Sequence, residues 1–453
     1  MPKELFGTDG IRGVAGEYPL DAGTVHAFGM ALGTEARRLG DDPEVLIGLD
    51  TRESGAWIAG QVAAGLAERG LRARFAGVVT TPGVAYLTRH GPFVAGVMIS
   101  ASHNPYQDNG LKVFGHSGYK LPDEEEHLME QEIFRLAEEQ AGDGRKLPPA
   151  PLLEEDASLR RRYLDYLAGS VSPGVELAGY RIVVDCGNGA ASNLAPELFA
   201  RLGAEVDAIC CQPDGRNINL GCGALHLEPL RSRVLEKRAH VGVAFDGDAD
   251  RAIFIASSGR IIDGDAVLLM AARWLQASGR LHRNLVVATV MSNLGLEKAL
   301  ERLGISLLRT PVGDKYVLEE MLRSGAVLGG EQSGHVIFGG QATTGDGMLT
   351  ALKVFEISSR AGVGLDELAR DLEIYPQRLL NVKVREKKDL AQLPAVAREI
   401  DECERALAGS GRILVRFSGT EPLARVMVEA RSLQQVEAFT ERIAGAIRRE
   451  IGA

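Results

Sequence analysis

The sequence predicts a multidomain α/β protein whose last domain is smaller and of the α+β type. A chain of 453 residues exceeds what one hydrophobic core usually supports, and a length of roughly 150 residues per domain suggests three or four domains. Three segments also share one plan, in which a short apolar strand leads through a turn of small residues into an amphipathic helix and a second strand. These two observations predict repeated βαβ units.

The three units are similar in the way each helix ends. Their first strands are predicted at 45–50, 181–186 and 284–290, and their second strands at 73–79, 204–210 and 305–310. Each helix closes with an Arg, which suits the negative end of a helix dipole, and a Gly lies one or two positions later. We therefore expect Gly70, Gly203 and Gly304 to adopt the left-handed C-cap conformation.

The last eighty residues have a different pattern. The segment ILVRFSGTEPLARVMVEA (413–430) contains two strands around a tight loop, and a charged helix follows it to the C-terminus. This pattern predicts a smaller α+β domain.

Composition excludes several classes of protein. The net charge of −10 argues against a general nucleic-acid binder, which needs clustered Lys and Arg. The cysteines are odd in number and form no C-x-x-C pair, so neither a disulfide framework nor a zinc site is expected: Cys186, Cys210, Cys211, Cys222 and Cys403. With no apolar signal region and no run of 18 apolar residues, we expect a soluble cytoplasmic protein without a membrane partner.

A group of three carboxylates gives the sharpest local signal. In DGDADR (246–251), Asp246, Asp248 and Asp250 share one turn between two apolar strands. Three carboxylates at ~4 Å would repel one another strongly unless a cation lay among them. Hard oxygen ligands favour Mg²⁺ or Ca²⁺, and the loop lacks the Gly and Glu of an EF-hand. The alternative is a solvated acidic hairpin.

A serine at the end of a buried strand gives the second signal. In ISASHNP (99–105), Ser102 follows an apolar run, although a serine before His-Asn-Pro also suits a turn that caps a helix. Acyl chemistry does not fit, because no G-x-S-x-G elbow surrounds Ser102. Beside a metal site, a phosphorylated serine is chemically reasonable, since a cation can bind a phosphoseryl oxygen and withdraw charge.

Three further loops carry polar groups. In RFSGTEP (416–422), Arg416, Ser418, Gly419 and Thr420, with Arg425, offer the donors of a phosphate site. GEQSGH (330–335) presents Glu331 and Ser333, which suit vicinal sugar hydroxyls, and FGTDGIRG (6–13) places Arg12 on a glycine-rich loop. Ordinary surface loops remain the alternative for each of them.

One motif imitates a dinucleotide site. DCGNGAAS (185–192) follows a predicted strand and opens a helix, and Asp207 lies about twenty residues further on. The third glycine of the fingerprint is replaced by Ser192. We interpret this segment as the βα turn of the second unit.

The five motifs FGTDGIRG, SASHNP, DGDADR, GEQSGH and RFSGTEP, in this order, resemble the α-D-phosphohexomutase superfamily over essentially the whole chain. The FGTDGIRG start, Gln332 in the fourth motif and TPVGDKYV (310–317) resemble the bacterial members that act on glucosamine phosphates. The resemblance implies four domains around a central cleft, three with mixed α/β sheets and a smaller C-terminal α+β domain. The implied boundaries are 1–152 for a phosphoserine domain, 153–256 for a metal-binding domain, 257–372 for a sugar-binding domain and 373–453 for a phosphate-binding domain.

The resemblance also implies roles for the motif residues. Ser102 would be the phosphoserine and would bind Mg²⁺ together with Asp246, Asp248 and Asp250. The implied substrate contacts are Glu331 and Ser333 for sugar hydroxyls, and Arg416, Ser418, Gly419, Thr420 and Arg425 for phosphate. Lys315 stands where many relatives have Arg, and the resemblance implies that it too is a substrate contact. Related bacterial enzymes are commonly homodimers.

The implied reaction converts glucosamine 6-phosphate to glucosamine 1-phosphate through a 1,6-bisphosphate, in the route to UDP-N-acetylglucosamine. His103 and Lys112 are the nearest candidates in sequence for a general acid or base, and the sequence does not choose between them. Four other functions remain as alternatives to this reaction. They are those of a phosphoglucomutase or phosphomannomutase, a metal-dependent sugar phosphatase, a dinucleotide-linked enzyme and a non-catalytic regulatory protein.

Overall fold

The computed structural model describes residues 4–7, 9–39, 42–142, 146–173, 175, 177–389, 392–418 and 422–453. Over these residues the backbone forms four β-sheets with helices packed on them. The chain divides into two compact units. The first comprises Met1–Met291 and Ile305–Arg370, and the second comprises Ser292–Gly304 and Asp371–Ala453.

The first sheet is mixed and has the strand order β1-β2-β6-β5-β3-β4. Its strands are β1 (Phe6–Gly7), β2 (Gly10–Val14), β3 (Glu44–Leu49), β4 (Arg72–Val78), β5 (Phe93–Ile99) and β6 (Asp108–Gly115). The helices of this region are α1 (Ala22–Ala36), α2 (Gly55–Glu68), α3 (Thr81–His90) and α4 (Asp123–Gly142). Strand β3 runs parallel to β4 and β5, whereas β6 runs antiparallel to β5. Loops after β3 and β5 therefore emerge at the same edge of the sheet.

The second sheet has the order β11-β10-β9-β7-β8. Its strands are β7 (Arg181–Asp185), β8 (Glu205–Ile209), β9 (Val241–Phe245), β10 (Ala252–Ala256) and β11 (Ile261–Ile262). Three helices accompany it, α5 (Ala157–Gly169), α6 (Ala195–Arg201) and α7 (Glu228–Lys237). Every residue of β9 and β10 is buried, and the two strands form an antiparallel hairpin in which Phe245 faces Ala252. Buried apolar strands thus hold the acidic loop 246–251 on both sides.

The third sheet has the order β13-β12-β14-β15. Its strands are β12 (Leu285–Thr289), β13 (Ser306–Thr310), β14 (Leu328–Gly330) and β15 (Val336–Phe338). The helices in this part of the chain are α8 (Gly264–Ala277), α9 (Leu294–Arg302), α10 (Asp314–Ser324), α11 (Gly347–Ala361) and α12 (Leu365–Leu368). The short antiparallel pair of β14 and β15 presents the loop 331–335 between its strands.

The second compact unit contains a three-stranded antiparallel sheet in the order β16-β18-β17. Its elements are β16 (Gln377–Lys383), α13 (Pro394–Leu407), β17 (Gly411–Phe417), β18 (Leu423–Ala430) and α14 (Leu433–Ile451). Ser432 caps α14, and Val436, Ile443 and Ile447 bury one face of that helix in the core of the unit. The predicted smaller α+β domain is confirmed.

The three predicted βαβ units are present as strand–helix–strand segments. Gly70, Gly203 and Gly304 have φ values of 76°, 94° and 69°, so the expected left-handed conformation is confirmed at all three positions. The third unit differs from the other two, because α9 belongs to the second compact unit while β12 and β13 belong to the first. Asn293 caps α9 and also binds the backbone of Tyr375, which ties this helix to the C-terminal part of the chain.

Across the portion of the chain that the structure describes, no helix combines the length and the apolar character needed to cross a bilayer.

A buried carboxylate, Asp346, should make stability depend on pH. Its Oδ1 accepts a hydrogen bond from the Leu349 backbone at 2.9 Å, and the Tyr163 hydroxyl donates to Oδ2 at 2.8 Å. Burial outweighs these hydrogen bonds and raises the pKa of Asp346 to about 6. An acid whose pKa is higher in the folded state than in the unfolded state binds extra protons when folded, so stability falls as pH rises from the unfolded pKa to about 6.

We expect Asp346→Asn to remove that penalty, because asparagine keeps an acceptor for the helix cap and carries no charge. The free energy of unfolding of Asp346→Asn, compared with that of the unmodified protein, should therefore be higher at pH 7.5 than at pH 4. The expected increase in this difference is up to about 3 kcal/mol. Melting temperatures of both proteins at the two pH values measure the effect. A difference between the proteins that is the same at both pH values would contradict the assignment.

Candidate active site

Ser102 lies in a strained and buried position just after β5. Its φ of 51° is left-handed, which costs a non-glycine residue roughly 1–2 kcal/mol. The hydroxyl of Ser100 accepts a hydrogen bond from the Ser102 backbone at 2.9 Å. Only 2% of Ser102 is exposed. The backbone therefore holds one hydroxyl in one orientation, as strained residues at functional sites commonly do.

The guanidinium group of Arg52 anchors the Ser102 loop. Arg52 lies in the turn after β3 and donates to four backbone carbonyls of the loop, those of Ser102, Asn104, Pro105 and Asp108. Its Nε donates to Asp50 at 2.9 Å, and both side chains are fully buried. Because the carboxyl ends of β3 and β5 meet at one edge of the sheet, the Arg52 side chain can reach all four carbonyls of the Ser102 loop.

Arg52→Lys should slow the reaction at this site, because an ammonium group has three donors and cannot bind four carbonyls together with Asp50. We expect kcat to fall by about 10²-fold with a smaller change in KM, since a displacement of the reacting oxygen by about 1 Å has an effect of this size. Steady-state kinetics would measure it. Arg233→Lys is the control, because Arg233 forms a comparable ion pair with Asp207 in a solvent-accessible position. An unchanged kcat in Arg52→Lys would refute the anchoring role.

The three predicted carboxylates converge in the loop between β9 and β10. One oxygen from each of Asp246, Asp248 and Asp250 lies within 4.8 Å of the others, and all three residues are buried. The Ser102 hydroxyl donates to Oδ2 of Asp246 at 2.6 Å. The serine on the first sheet and the aspartates on the second sheet thus form one group.

Positive charge offsets part of this acidic cluster. Nζ of Lys112, on β6, lies 2.8 Å from Asp248, 4.0 Å from Asp250 and 2.9 Å from Asp9. Although burial opposes it, Asp248 and Asp9 raise the pKa of Lys112, so this amine stays charged. Burial, followed by the charges of Asp250 and Asp248, raises the pKa of Asp246 well above its usual range.

The arrangement suits a divalent cation. Oδ1 of Asp248 and Oδ1 of Asp250 are buried and make no hydrogen bond within the described residues. Buried carboxylate oxygens without donors are costly unless a cation binds them. Three oxygen donors in one place match the hard ligands that Mg²⁺ and Ca²⁺ prefer. These residues can therefore hold a divalent metal ion.

The two candidates for proton transfer differ in charge. Nδ1 of His103 lies 3.4 Å from the Ser102 hydroxyl. Burial, then the charges of Arg251 and Arg12, lowers the pKa of His103 to about 4, so the ring is neutral at pH 7. Lys112 is charged, and its ammonium group binds the carboxylates of Asp248 and Asp9. Arg12, on β2, is bound to Asp9, and its Nε has no hydrogen-bond partner among the described residues.

The loop between β14 and β15 lies against the acidic hairpin. The Ala252 backbone donates to the Gly334 carbonyl at 3.1 Å. Within the loop, the Ser333 hydroxyl donates to Glu331 at 3.3 Å, and Glu331 accepts from the Gly313 backbone at 3.3 Å. Glu331 and Ser333 are therefore neighbours of the acidic loop 246–251.

Lys315 makes different contacts from those expected of a substrate residue. Its ammonium group, at the start of α10, donates to the Leu121 carbonyl and to Glu126, each at 3.3 Å, and also to Asp123. Lys315 therefore binds to the start of α4. The donors of its ammonium group are taken up by Asp123, Glu126 and the Leu121 carbonyl.

The turn between β17 and β18 brings two arginines together. Arg416 and Arg425 are directly opposite each other in the antiparallel pair, and both are half-buried. Burial, and then the charge of Arg425, lowers the pKa of Arg416. Like charges at opposed positions destabilise a sheet unless an anion lies between them. Ser418 is buried next to this pair, whereas Gly419 and Thr420 lie outside the described residues.

Several residues at the site were absent from the sequence-based set. Nδ1 of His335 lies 3.5 Å from Asp250, and its Nε2 accepts a hydrogen bond from the Gly345 backbone at 2.9 Å, which leaves the proton on Nδ1. Asn219 donates to the Ser102 carbonyl at 3.0 Å. His335 closes the GEQSGH motif and could have been chosen there, whereas the role of Asn219 had no signal in the sequence.

The segment 185–192 forms the βα turn of the second unit, as interpreted from the sequence. Its backbone packs directly on the acidic hairpin, since the Ala190 amide donates to the Gly247 carbonyl at 2.8 Å. A Cβ atom on Gly189 would come within 2.4 Å of the Gly247 oxygen. Gly189 therefore lies too close to the acidic hairpin to carry a side chain.

Four family models match consecutive parts of the chain. They are described as phosphoglucomutase/phosphomannomutase alpha/beta/alpha domains I, II and III and the C-terminal domain. The matched residues are 3–140, 161–259, 263–375 and 379–446, respectively.

Similar sequences and structures cover nearly the full chain. The chain is 66% identical to the phosphoglucosamine mutase of Solibacter usitatus over 453 residues, which is 100% of both chains. It is 52% identical to that of Koribacter versatilis, covering 99% of this chain and 98% of the other. A phosphoglucomutase/phosphomannomutase family protein from Burkholderia thailandensis has a TM-score of 0.78 at 24% identity, with 99% of each chain covered. The Aspergillus fumigatus N-acetylphosphoglucosamine mutase has a TM-score of 0.68 at 19% identity, covering 99% and 96%.

Proposed function

Because the chain belongs to the α-D-phosphohexomutase superfamily, and within it to the phosphoglucosamine mutase family, we propose that it interconverts glucosamine 6-phosphate and glucosamine 1-phosphate. The reaction would supply the route to UDP-N-acetylglucosamine. The observation that carries this proposal is the 2.6 Å hydrogen bond from the Ser102 hydroxyl to Asp246 in the buried group of three aspartates. A serine in this position is suited to carry a phosphoryl group, whereas redox chemistry would not need it.

In the proposed reaction, phospho-Ser102 donates its phosphoryl group to a free hydroxyl of the sugar phosphate. The bond between phosphorus and the Ser102 oxygen breaks and a bond between phosphorus and the sugar oxygen forms. The proton of the sugar hydroxyl passes to a base, and the released Ser102 oxygen takes up a proton to become a hydroxyl. The product at this stage is glucosamine 1,6-bisphosphate. After this intermediate turns over, the phosphoryl group at the other end returns to Ser102, which restores the phosphoenzyme.

We propose that His103, rather than Lys112, transfers the proton. The His103 ring is 3.4 Å from the Ser102 hydroxyl and is a neutral acceptor, whereas Lys112 holds its proton between Asp248 and Asp9. In this assignment Lys112 neutralises charge, and Arg12 binds a phosphoryl oxygen through the donors that Asp9 leaves available. Arg52 positions the Ser102 loop.

Mg²⁺ is the metal we propose for Asp246, Asp248 and Asp250, with an oxygen of phospho-Ser102 as a further ligand. When bound there it would neutralise charge on the transferring phosphoryl group. The assignment is supported by one buried oxygen each of Asp248 and Asp250, neither of which accepts a hydrogen bond from any residue that the structure describes.

The substrate contacts are proposed for two loops. Glu331 and Ser333, beside the metal-binding hairpin, would bind vicinal hydroxyls of the sugar. In the C-terminal unit, taken by itself, Arg416, Ser418 and Arg425 would bind a phosphate dianion, together with Gly419 and Thr420 of the same turn. Lys315 would act indirectly, by fixing the start of α10 through Glu126 and Asp123.

The substrate is tested by comparing kcat/KM for glucosamine 6-phosphate, glucose 6-phosphate and mannose 6-phosphate with phosphorylated enzyme and Mg²⁺. We expect a preference of at least about tenfold for the amino sugar, equal to about 1.4 kcal/mol in the transition state. A preference for glucose or mannose 6-phosphate would retain the mechanism and overturn the substrate. Steady release of inorganic phosphate from all three sugars would instead identify a phosphatase.

A further inference from the structure

A second group of metal-binding side chains lies in the second sheet, outside the acidic hairpin. Asp185 ends β7, Cys210 directly follows the neighbouring strand β8, and Cys222 comes from the loop that precedes α7. One ligand atom from each of the three residues lies within 4.8 Å of the other two. Asp185 and Cys222 are buried, and Cys210 is half-buried.

Neighbouring groups already fix the orientation of these ligands. Oδ1 of Asp185 accepts a hydrogen bond from the Gly187 amide at 2.9 Å, and Oδ2 accepts one from the Gly223 amide at 3.0 Å. Nδ2 of Asn188 lies 3.8 Å from the Cys222 sulfur and donates to it. Such outer contacts orient ligands and stabilise a bound thiolate in known metal sites.

We propose that Asp185, Cys210 and Cys222 form a second metal site, which binds a thiophilic divalent cation of the Zn²⁺ class. Two sulfurs and one carboxylate oxygen would leave one position for solvent in a tetrahedral site. With Zn–S bonds of about 2.3 Å, such ligand atoms lie just under about 4 Å apart, so the side chains need to move by less than about 1 Å. Each thiol releases its proton to solvent as its sulfur binds.

The two metal sites differ in the cation they select. Thiolate ligands favour Zn²⁺ over Mg²⁺, whereas the three aspartates of the hairpin offer only hard oxygens. The residues of the second site are separated in sequence and lack a C-x-x-C pair, which is why no zinc site was expected from the sequence. The parallel pairing of β7 with β8, in which Asp185 is opposite Ile209, brings them together.

A cation in this site would join turns that support the Ser102 loop. Asn219, three positions before Cys222, donates to the Ser102 carbonyl at 3.0 Å. On the other side, the Asn188 carbonyl accepts from the Thr51 hydroxyl at 2.6 Å. The site would therefore stabilise the backbone behind the reactive serine. It does not depend on the identity of the sugar or on phosphoryl transfer.

Co²⁺ is a suitable spectroscopic probe for this site. The full-length protein, reduced and saturated with Mg²⁺, would be titrated with Co²⁺, and sulfur-to-cobalt charge-transfer absorption would be recorded in the near ultraviolet. We expect this absorption to saturate at one Co²⁺ per chain and to disappear when Zn²⁺ is added. Oxygen ligands alone produce no sulfur charge transfer, so the hairpin aspartates cannot give this signal.

Substitution of the thiols provides the second arm of the experiment. Cys222→Ser and Cys210→Ser should each weaken Zn²⁺ binding by more than about 100-fold, since even outer-shell changes reduce affinity by about 10–100-fold. Cys403→Ser is the matched control, because Cys403 is also a buried free cysteine but lies on α13. If Cys222→Ser does not fold, the half-buried Cys210 provides the decisive variant. Absence of charge transfer in the unmodified protein, or its persistence in Cys210→Ser, would overturn the proposal.

Discussion

Ser102→Ala should lower kcat/KM for glucosamine 6-phosphate by about 10⁴-fold or more, which is the scale of effect seen when an essential nucleophile is removed. The loss should fall on kcat, because the sugar and phosphate contacts do not include this hydroxyl. Alanine also removes the hydrogen bond to Asp246. The variant should bind Mg²⁺ and should show no phosphoryl group by intact-mass measurement, whereas the unmodified protein should carry one.

Ser258→Ala is the control for this experiment, because Ser258 is exposed and its hydroxyl binds Asp366 and the neighbouring backbone. Added glucosamine 1,6-bisphosphate distinguishes the possible causes of a loss. It should restore activity to dephosphorylated but otherwise unmodified enzyme and should leave Ser102→Ala inactive. Full activity of Ser102→Ala with bisphosphate would show that another group accepts the phosphoryl group.

Asp246→Asn should reduce turnover by about 10³-fold or more, equal to about 4 kcal/mol of transition-state stabilisation, because it removes one of the three metal ligands that we propose. In the absence of metal, the same substitution should increase the stability of the protein. Three buried carboxylates repel one another, so neutralising one of them should raise the melting temperature of the metal-free protein.

Thermal unfolding with and without Mg²⁺ measures both effects of Asp246→Asn. At 100 times the dissociation constant, Mg²⁺ should stabilise the unmodified protein by about 2.7 kcal/mol and the variant by much less. Asp165→Asn provides a control, since Asp165 forms an exposed ion pair with Arg201. An acidic hairpin without a metal would show no effect of Mg²⁺ on either protein.

The sequence predicted the repeated architecture and much of the site because both depend on local patterns. Apolar strands, turns of small residues and C-capping glycines have fixed spacing, so Gly70, Gly203 and Gly304 could be assigned to left-handed caps before the structure was known. Asp246, Asp248 and Asp250 share one turn, and their mutual repulsion is evident from the sequence.

Other residues of the site depend on contacts between distant segments. Arg52 looks like an ordinary residue of a turn until the parallel pairing of β3 and β5 places it under the Ser102 loop. Lys112 could equally have been a surface lysine, and it is the contacts with Asp9 and Asp248 that keep its buried amine charged. Asn219 is more than a hundred positions from Ser102. Hydrophobic periodicity predicts which elements form, but it does not predict which side chains cross from one sheet to another.

The directly opposed positions of Arg416 and Arg425, with the phosphate contact that we propose for them, have a consequence for inhibitor design. With the two charges opposed across adjacent strands, a ligand gains most when its head group carries two negative charges. A phosphonate retains that charge and resists hydrolysis, whereas a carboxylate or sulfonate supplies only one charge and leaves part of the repulsion in place. Neutral isosteres of phosphate are therefore poor starting points for compounds directed at this turn.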